Sequence, residues 1–208
     1  MTLSDLLFLV TVFCLLIFVI ILIVALLRRK KRMARNMLFG MLIWLCVYTA
    51  SLRGVSVLPP QRVLALHQEH CFDEMCFSVT QVATTKIVGN APQRLSANGI
   101  FYIVTVQLRN AALRMPQKPD NPSFVLVDVQ GHSYNPSQEA QQAAGQQPTW
   151  DSQLQPAETQ SRLVIFEVPG LLQQPGLLTS EGGWPTSLII GDENSPFHQK
   201  TVIRFGNV

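Results

Sequence analysis

Twenty-two consecutive residues near the N-terminus, from Leu6 to Leu27, carry no charge and are mostly Leu, Ile, Val and Phe. As an α-helix this run is about 33 Å long, which is enough to cross a hydrocarbon core of about 30 Å. A signal peptide has positive charge before its apolar run and small residues after it. This run instead follows Asp5 and ends in Arg28-Arg29-Lys30-Lys31-Arg32. The sequence therefore predicts a membrane-spanning helix rather than a signal peptide.

A second uncharged run covers residues 37–52 and is followed by Arg53. Its 16 residues are slightly fewer than a span usually needs, but Arg53 can extend its charged end to the interface. The alternative is an amphipathic helix lying in the membrane surface, and such a helix has a charged face. Because residues 37–52 have no charged face, we predict a second span and assign residues 1–53 to a two-helix anchor, a transmembrane helical hairpin.

Charge divides unevenly along the chain. Residues 1–53 contain seven basic residues and one acidic residue, a balance of +6, whereas residues 54–208 contain nine basic and twelve acidic residues, a balance of −3. Six of the basic residues lie in the predicted loop 28–36: Arg28, Arg29, Lys30, Lys31, Arg32 and Arg35. Basic loops of this kind stay in the cytoplasm, and their side chains can also contact anionic lipid headgroups. We therefore expect both termini and the remainder of the chain to be extracytoplasmic, in the periplasm or at the cell exterior.

The positive charge is concentrated beside the apolar runs, so it gives no indication of nucleic-acid binding.

The region after the spans has the pattern of an all-β domain. Residues 54–62 form a predicted linker stiffened by Pro59-Pro60, and residues 63–208 are rich in β-branched residues interrupted by turn residues. We predict seven strands, near residues 63–67, 77–88, 99–110, 124–129, 162–168, 187–190 and 201–205. Residues 138–144 allow a short helix or a mobile loop, and we favour a solvated insertion. Seven short strands without a long amphipathic helix indicate an antiparallel β-sandwich over residues 63–208.

Several short motifs recur in order through this region. A strand ends in Asn110, a hairpin follows with the form Phe124…Asp128-x-x-Gly131…Tyr134, and the turn Pro156-Ala157-Glu158 precedes a strand ending in Pro169. This pattern, over about residues 76–205, resembles a family of telokin-like, immunoglobulin-fold extracytoplasmic domains of unknown function found on bacterial membrane proteins and lipoproteins. Ala157 stands where the family usually has Gly. The resemblance implies an immunoglobulin-like sandwich and a bacterial source, and it implies no common chemistry.

The four cysteines fall into two groups. Cys14 and Cys46 lie in the apolar runs and are most simply apolar packing residues, whereas Cys71 and Cys76 lie in the predicted exported domain. Residues five apart point to opposite faces of a regular strand, so pairing requires a turn through residues 72–75, which Asp73 favours. In an oxidising compartment we predict a structural disulfide, which contributes about 2 kcal/mol because the loop it closes is small.

Two alternatives remain open for this segment. His67, His70, Cys71 and Cys76 have the ligand types of a zinc or copper site, although their spacing matches no standard zinc finger. The two cysteines could also form a redox-active pair, although catalytic dithiols usually have two intervening residues. We favour the disulfide and predict no resident metal.

The sequence contains no Gly-x-Ser-x-Gly elbow, no His-Glu-x-x-His motif and no phosphate-binding glycine loop. We therefore predict no enzymatic activity and no cofactor. The preferred hypothesis is a membrane-anchored extracytoplasmic binding or accessory domain that contacts another envelope protein or a subunit of a membrane complex. The alternative is a metal- or redox-handling envelope protein that uses the cluster of His67, His70, Cys71 and Cys76.

Overall fold

The computed structural model of the 208-residue chain describes residues 3–57, 60–145, 147, 149–182, 188–190, 195 and 198–206. The chain divides into two compact units. The helical unit contains Met1–Pro60 and Gly183–Gln199, and the sandwich unit contains Gln61–Gly182 and Lys200–Val208. The predicted domain 63–208 differs from this division, because residues 183–199 group with the helices.

Two long apolar helices form most of the helical unit. Helix α1 spans Leu3–Leu27 and helix α2 spans Lys31–Val57. The two helices pack against each other, and a Cβ added at Gly40 of α2 would lie 3.6 Å from the ring of Phe18 on α1. Both helices are long and apolar enough to cross a membrane, with mean hydropathies of 3.6 for Leu6–Leu27 and 1.6 for Lys31–Val57.

The ends of α2 differ from the sequence prediction. The connection between the helices covers only residues 28–30, so Lys31, Arg32 and Arg35 lie on the first turns of α2 and not in a loop 28–36. At its other end α2 continues to Val57, into the predicted linker 54–62. Backbone hydrogen bonding sets the ends of a helix, and it tolerates charged side chains beyond an apolar run. The second helix is therefore longer than its apolar run, 27 residues against 16.

Two described residues of the segment 183–199, Leu188 and Ser195, contact α2 within the helical unit. The Tyr48 hydroxyl donates to the carbonyl oxygen of Leu188 at 2.6 Å, and the hydroxyls of Ser56 and Ser195 are 2.8 Å apart. A strand was predicted at residues 187–190; residues 188–190 do not form one, and Ser187 lies outside the described residues. An apolar run of three residues does not distinguish a strand from a segment that packs against a helix.

Among the residues that the structure describes, nine strands and one short helix form the sandwich unit. In chain order these are β1 Val63–Ala65, β2 His70–Phe72, β3 Met75–Val88, β4 Leu95–Asn110, β5 Ser123–Val127, β6 Ser133–Tyr134, helix α3 Gln138–Ala143, β7 Thr159–Val168, β8 Gly176–Ser180 and β9 Val202–Arg204. One sheet has the strand order β1-β9-β8-β5-β6 and the other has the order β2-β3-β4-β7. All pairs are antiparallel except β1 with β9. The predicted class, two apolar helices followed by an antiparallel β-sandwich, is confirmed.

The main core lies between the two sheets. Tyr102, Val104 and Val106 alternate along β4 and are fully buried, facing residues of the other sheet such as Leu126 and Leu177. This period-two alternation fixes which face of β4 turns inward. The buried Tyr102 hydroxyl has a hydrogen-bond partner, since it accepts from the backbone N–H of Leu172 at 2.9 Å.

A second, smaller core lies on the outer face of the β3-β4-β7 sheet. There α3 buries Ala140 against Phe101 of β4 and Ile165 of β7. The Ser137 side chain caps the helix by accepting from the N–H of Ala140 at 3.3 Å. The prediction of a solvated insertion at residues 138–144 was therefore wrong. The alanine side chains are small enough to pack directly against the sheet, which a Gln/Ala-rich composition does not reveal.

Candidate interaction site at the hairpin end of the sandwich

The two cysteines of the sandwich unit lie on a tight hairpin formed by β2 and β3. Cys71 is directly opposite Cys76 in the antiparallel register, and their Sγ atoms are 2.00 Å apart in a disulfide. Residues 73 and 74 form the turn, and Asp73 adopts the positive φ of 50° that such a short turn requires. The turn therefore places two residues five positions apart side by side, across the hairpin.

The four side chains of the alternative metal site do not come together in this structure. His67 is exposed in a turn, whereas His70 is buried, with its Nδ1 atom 3.0 Å from the Thr179 hydroxyl. Glu69 is the described side chain that joins the two cysteines in a group with ligand atoms within 4.8 Å. Because sulfur binds metals as thiolate, the disulfide form offers Glu69 alone as a ligand in that group.

A bidentate ion pair ties the segment before the hairpin to β4. The Arg109 guanidinium donates to both carboxylate oxygens of Glu69, at 2.7 Å and 2.5 Å. The hydrogen bond from Arg109 holds the pKa of Glu69 below its usual value. Both side chains are more than a third exposed, so the pair fixes geometry more than it adds stability.

The loop that follows β4, residues 111–117, is held in place at both ends. Asn110 is fully buried, and its Nδ2 donates to the carbonyl oxygens of Met115 and Leu154 while its Oδ1 accepts from the N–H of Ala112. At the far end, Gln117 exchanges two backbone hydrogen bonds with Leu154, at 3.0 Å and 2.7 Å. The Gln117 side chain also donates to Glu74 in the hairpin turn at 2.7 Å.

Two large apolar side chains project from this 111–117 loop. Leu113 is 93% exposed and Met115 is 67% exposed, with the exposed Arg114 between them. An exposed leucine by itself is unremarkable, but a well-fixed surface loop that presents two apolar side chains is typical of a binding surface. Sequence reasoning missed this loop because its composition carries no signal of exposure.

A buried carboxyl group lies at the same end of the sandwich. The Glu181 carboxylate accepts from the N–H of Asp120 at 2.6 Å and is 9% exposed. Burial raises the pKa of Glu181 to about 7. The hydrogen bond from Asp120 opposes that rise in pKa, and the charges of Asp120 and Asp73 add to it.

The chain also enters the sandwich at this end. Val63, the first residue of β1, pairs with Val202, which in turn pairs with Leu178 close to the end of β8. The last residue of β8, Ser180, pairs with Ser123 just after the Asp120 segment. We call this part of the sandwich the hairpin end; it carries the β2-β3 turn, the 111–117 loop, Glu181 and the first residues of the domain.

The remaining predicted site residues lie in the helical unit. Arg28, Arg29, Lys30, Lys31, Arg32 and Arg35 are all exposed. An exposed basic cluster beside two apolar helices has the composition expected of a cytoplasmic flank or a contact with anionic headgroups.

The turn that carried the family resemblance has the expected local structure. The Asp128 carboxylate accepts from the N–H groups of Gln130 and His132 at 2.8 Å and 2.9 Å, and Gly131 has a φ of 87°. His132 Nδ1 lies 2.8 Å from the other oxygen of Asp128. Desolvation works to raise the pKa of Asp128, but these hydrogen bonds outweigh it and hold the pKa below its usual value. The carboxylate therefore serves to form the turn.

Comparison with other proteins gives relatives without an assigned activity. No curated protein matches the chain significantly. A conserved hypothetical protein from Bacillus anthracis is similar in structure, with 17% identity, a TM-score of 0.44 and coverage of 57% of this chain and 89% of that one. An uncharacterized beta-sandwich protein from Clostridium difficile 630 gives 12% identity and a TM-score of 0.39, and the match covers 70% of this chain and 94% of that one. The secreted protein MPT63 from Mycobacterium tuberculosis gives 13% identity, a TM-score of 0.42 and coverage of 61% and 92%.

A family model matches residues 65–181, which include most of the sandwich and more than half of the chain. The matched region contains the disulfide hairpin, the 111–117 loop and the Asp128 turn. The chain therefore belongs to the family described as Domain of unknown function (DUF4352).

Proposed function

We propose that this protein is a membrane-anchored extracytoplasmic binding domain that docks, through its 111–117 loop, onto another envelope protein or a subunit of a membrane complex, and that it performs no catalysis. The observation that carries the proposal is the exposure of Leu113 and Met115 on a loop whose backbone is fixed by buried hydrogen bonds. The two apolar helices support the anchor, and the basic residues between them support an extracytoplasmic sandwich.

A fixed loop has a physical advantage in binding. Ordering a flexible loop at an interface costs free energy, so a loop already held by Asn110 and Gln117 loses less entropy on binding. Burying a leucine or methionine side chain contributes on the order of 1.5–3 kcal/mol each. Leu113 and Met115 therefore form a small apolar anchor, with Arg114 available for a polar contact at its rim.

The two apolar helices support a partner that is itself attached to the membrane. If the helices anchor the chain, a partner embedded in, or lying on, the same membrane meets the sandwich more readily than a freely diffusing protein does, because tethering raises the effective concentration.

Site-specific photo-crosslinking in the native membrane tests this proposal. A photoreactive amino acid replaces Leu113, and a matched control places it at Val129, a residue that is 50% exposed in the turn between β5 and β6. We expect a discrete adduct with a different protein from position 113 and none from position 129. An adduct with a second copy of this chain, or equal adducts from both positions, would contradict the proposal.

A second experiment tests the same site without crosslinking. The double variant Leu113→Asp, Met115→Asp removes both apolar side chains at positions that make no contribution to the core. We expect copurification of the partner in mild detergent to be lost while thermal unfolding is unchanged. Migration of the unmodified protein as a lone monomer in mild detergent, with no adduct from position 113, would overturn the proposed function.

The telokin-like, immunoglobulin-fold relationship is part of the same proposal. It is supported by the Asp128 turn, by Gly131 at positive φ and by the strand that ends at Asn110. An experimental structure with a strand order incompatible with immunoglobulin-like sandwiches would contradict this finer assignment without affecting the proposed docking loop.

A further inference from the structure

A groove rich in glutamine lies beside α3 and reaches Arg162 of β7. It has a volume of about 520 Å³, and its polar side chains are Gln93, Gln138, Gln141, Gln142, Gln147 and Arg162. We call it the glutamine groove. It is separate from the hairpin-end site, since none of the residues of the 111–117 loop or the disulfide hairpin lines it.

Arg162 is the one charged side chain lining the groove among the described residues. Its guanidinium carbon lies 4.5 Å from the centre of the Trp150 ring, so the planar group is oriented by stacking. Its Nε atom is buried and donates to no atom of the residues that the structure describes. Burial also lowers the pKa of Arg162, because the charged form loses solvation there.

We propose that the glutamine groove binds the carboxylate group of an acidic saccharide. A guanidinium presents parallel N–H donors that match a carboxylate, and a partly buried guanidinium without an anion gains most from one. Each glutamine carboxamide offers both donors and an acceptor, which is the pattern that neighbouring sugar hydroxyls satisfy. The groove thus combines a single cation with several neutral hydrogen-bonding groups.

The surroundings of β7 disfavour an extended peptide as the ligand. β7 is an edge strand, and a peptide would normally bind there by adding a strand to the free backbone groups. Two of those groups in the middle of the strand are already used, because Ser137 donates from its N–H to the carbonyl oxygen of Ile165, and Gln147 accepts from the N–H of Leu163. The groove is therefore left with side chains rather than backbone for recognition.

A second depression adjoins the groove and shares Gln93 and Gly145 with it. Ile103, Ala143 and Leu163 contribute to its surface. Sugar rings have one apolar face of C–H groups, so a ring whose carboxylate pairs with Arg162 has a nonpolar surface beside it to contact. The nearby Trp150 ring serves to orient Arg162 and is not needed as a platform for the sugar.

Calorimetry on the full chain in detergent tests the inference with three probes: hexagalacturonate, the same hexamer with its carboxyl groups methyl-esterified, and hexaglutamate. We expect hexagalacturonate to bind and the other two to bind at least tenfold more weakly. Arg162→Gln is expected to weaken hexagalacturonate binding at least tenfold, and Gln142→Ala, at an exposed position of the groove, several-fold. Lys200→Gln, which removes one positive charge from an exposed site outside the groove, is the matched control and should bind like the unmodified protein.

Thermal unfolding of each variant confirms that it is folded before its affinity is compared. Equal binding of the esterified and free hexamers would overturn the inference, and so would unchanged binding by Arg162→Gln and Gln142→Ala. Tighter binding of hexaglutamate would replace the saccharide with a peptide ligand, and no binding of hexagalacturonate at millimolar concentration would remove the proposed ligand class.

Discussion

Asn110 donates from its side-chain amide to the carbonyl oxygen of Met115 at 3.1 Å, so the residue that ends β4 also fixes the loop that follows it. The same side chain bonds Leu154 and Ala112 and is fully buried. Asn110→Ala would leave these backbone groups unsatisfied, and we expect a loss of about 2–4 kcal/mol in the free energy of unfolding. Denaturant titration of the full chain in detergent measures it. The exposed Asn135→Ala is the control, and equal losses from the two variants would contradict the role of Asn110.

The strands of the main core were predictable because their information is local. The alternation of Tyr102, Val104, Val106 and Leu108 along β4 is visible in the sequence and defines the buried face. Strand β8 was missed for the opposite reason. It begins at Gly176, which reads as a turn residue, yet a Cβ at this position would lie 2.7 Å from Val202 on the neighbouring strand. The requirement for glycine comes from a strand distant in sequence.

The candidate site also contains features that the local sequence predicts and features that it does not. The spacing of Cys71 and Cys76, together with a turn residue between them, is a local pattern, and it led directly to the hairpin. The exposure of Leu113 is not local. It depends on hydrogen bonds from Asn110 and Gln117 to Leu154, which lies far along the chain. The Arg162–Trp150 stack likewise joins residues from a strand and a loop that no sequence motif connects.

The disulfide is expected to stabilise the domain only modestly. Replacing both Cys71 and Cys76 with Ser removes a cross-link that closes a very short loop, so we expect a loss of about 2 kcal/mol in the free energy of unfolding. The hairpin pairing and the Glu69–Arg109 ion pair remain in this variant. Thermal unfolding with and without reductant gives the comparison, and reductant should not affect the double variant.

Mass spectrometry after thiol alkylation checks the same cysteines in the native protein. We expect alkylation of Cys71 and Cys76 only after reduction. Two alkylated thiols in the native protein, together with stoichiometric zinc or copper by elemental analysis, would contradict the disulfide and favour the metal-handling alternative.

Glu181 should make the stability of the sandwich depend on pH. Its pKa is about 7 in the folded protein, raised from 4.5 by burial, so between these values the folded state holds a proton that the unfolded state has released. The contribution of Glu181 to the free energy of unfolding is therefore greatest below about pH 4.5. It falls as the pH rises towards 7 and stays low above pH 7. We expect a decrease on the order of 2 kcal/mol across this window.

Glu181→Gln should remove this decrease, because a neutral amide does not titrate. The exposed Glu139→Gln is the control and should retain the pH dependence of the unmodified protein. Unfolding free energies at several pH values between 4 and 8 decide the matter. A pH profile of Glu181→Gln that matches the unmodified protein would contradict the role given to Glu181.

The orientation that we propose for the two helices rests on charge and can be measured with single cysteines. In a background with Cys14→Ala and Cys46→Ala, Lys30→Cys places a thiol in the connection between the helices, and Gln130→Cys places one in an exposed turn of the sandwich. If the basic connection is cytoplasmic, a membrane-impermeant maleimide labels Gln130→Cys in intact cells and labels Lys30→Cys only after permeabilisation. The reverse pattern would place the sandwich in the cytoplasm, where reductants disfavour disulfides, and would remove the environmental reason for pairing Cys71 with Cys76. Labelling at both positions in intact cells would contradict a two-span anchor.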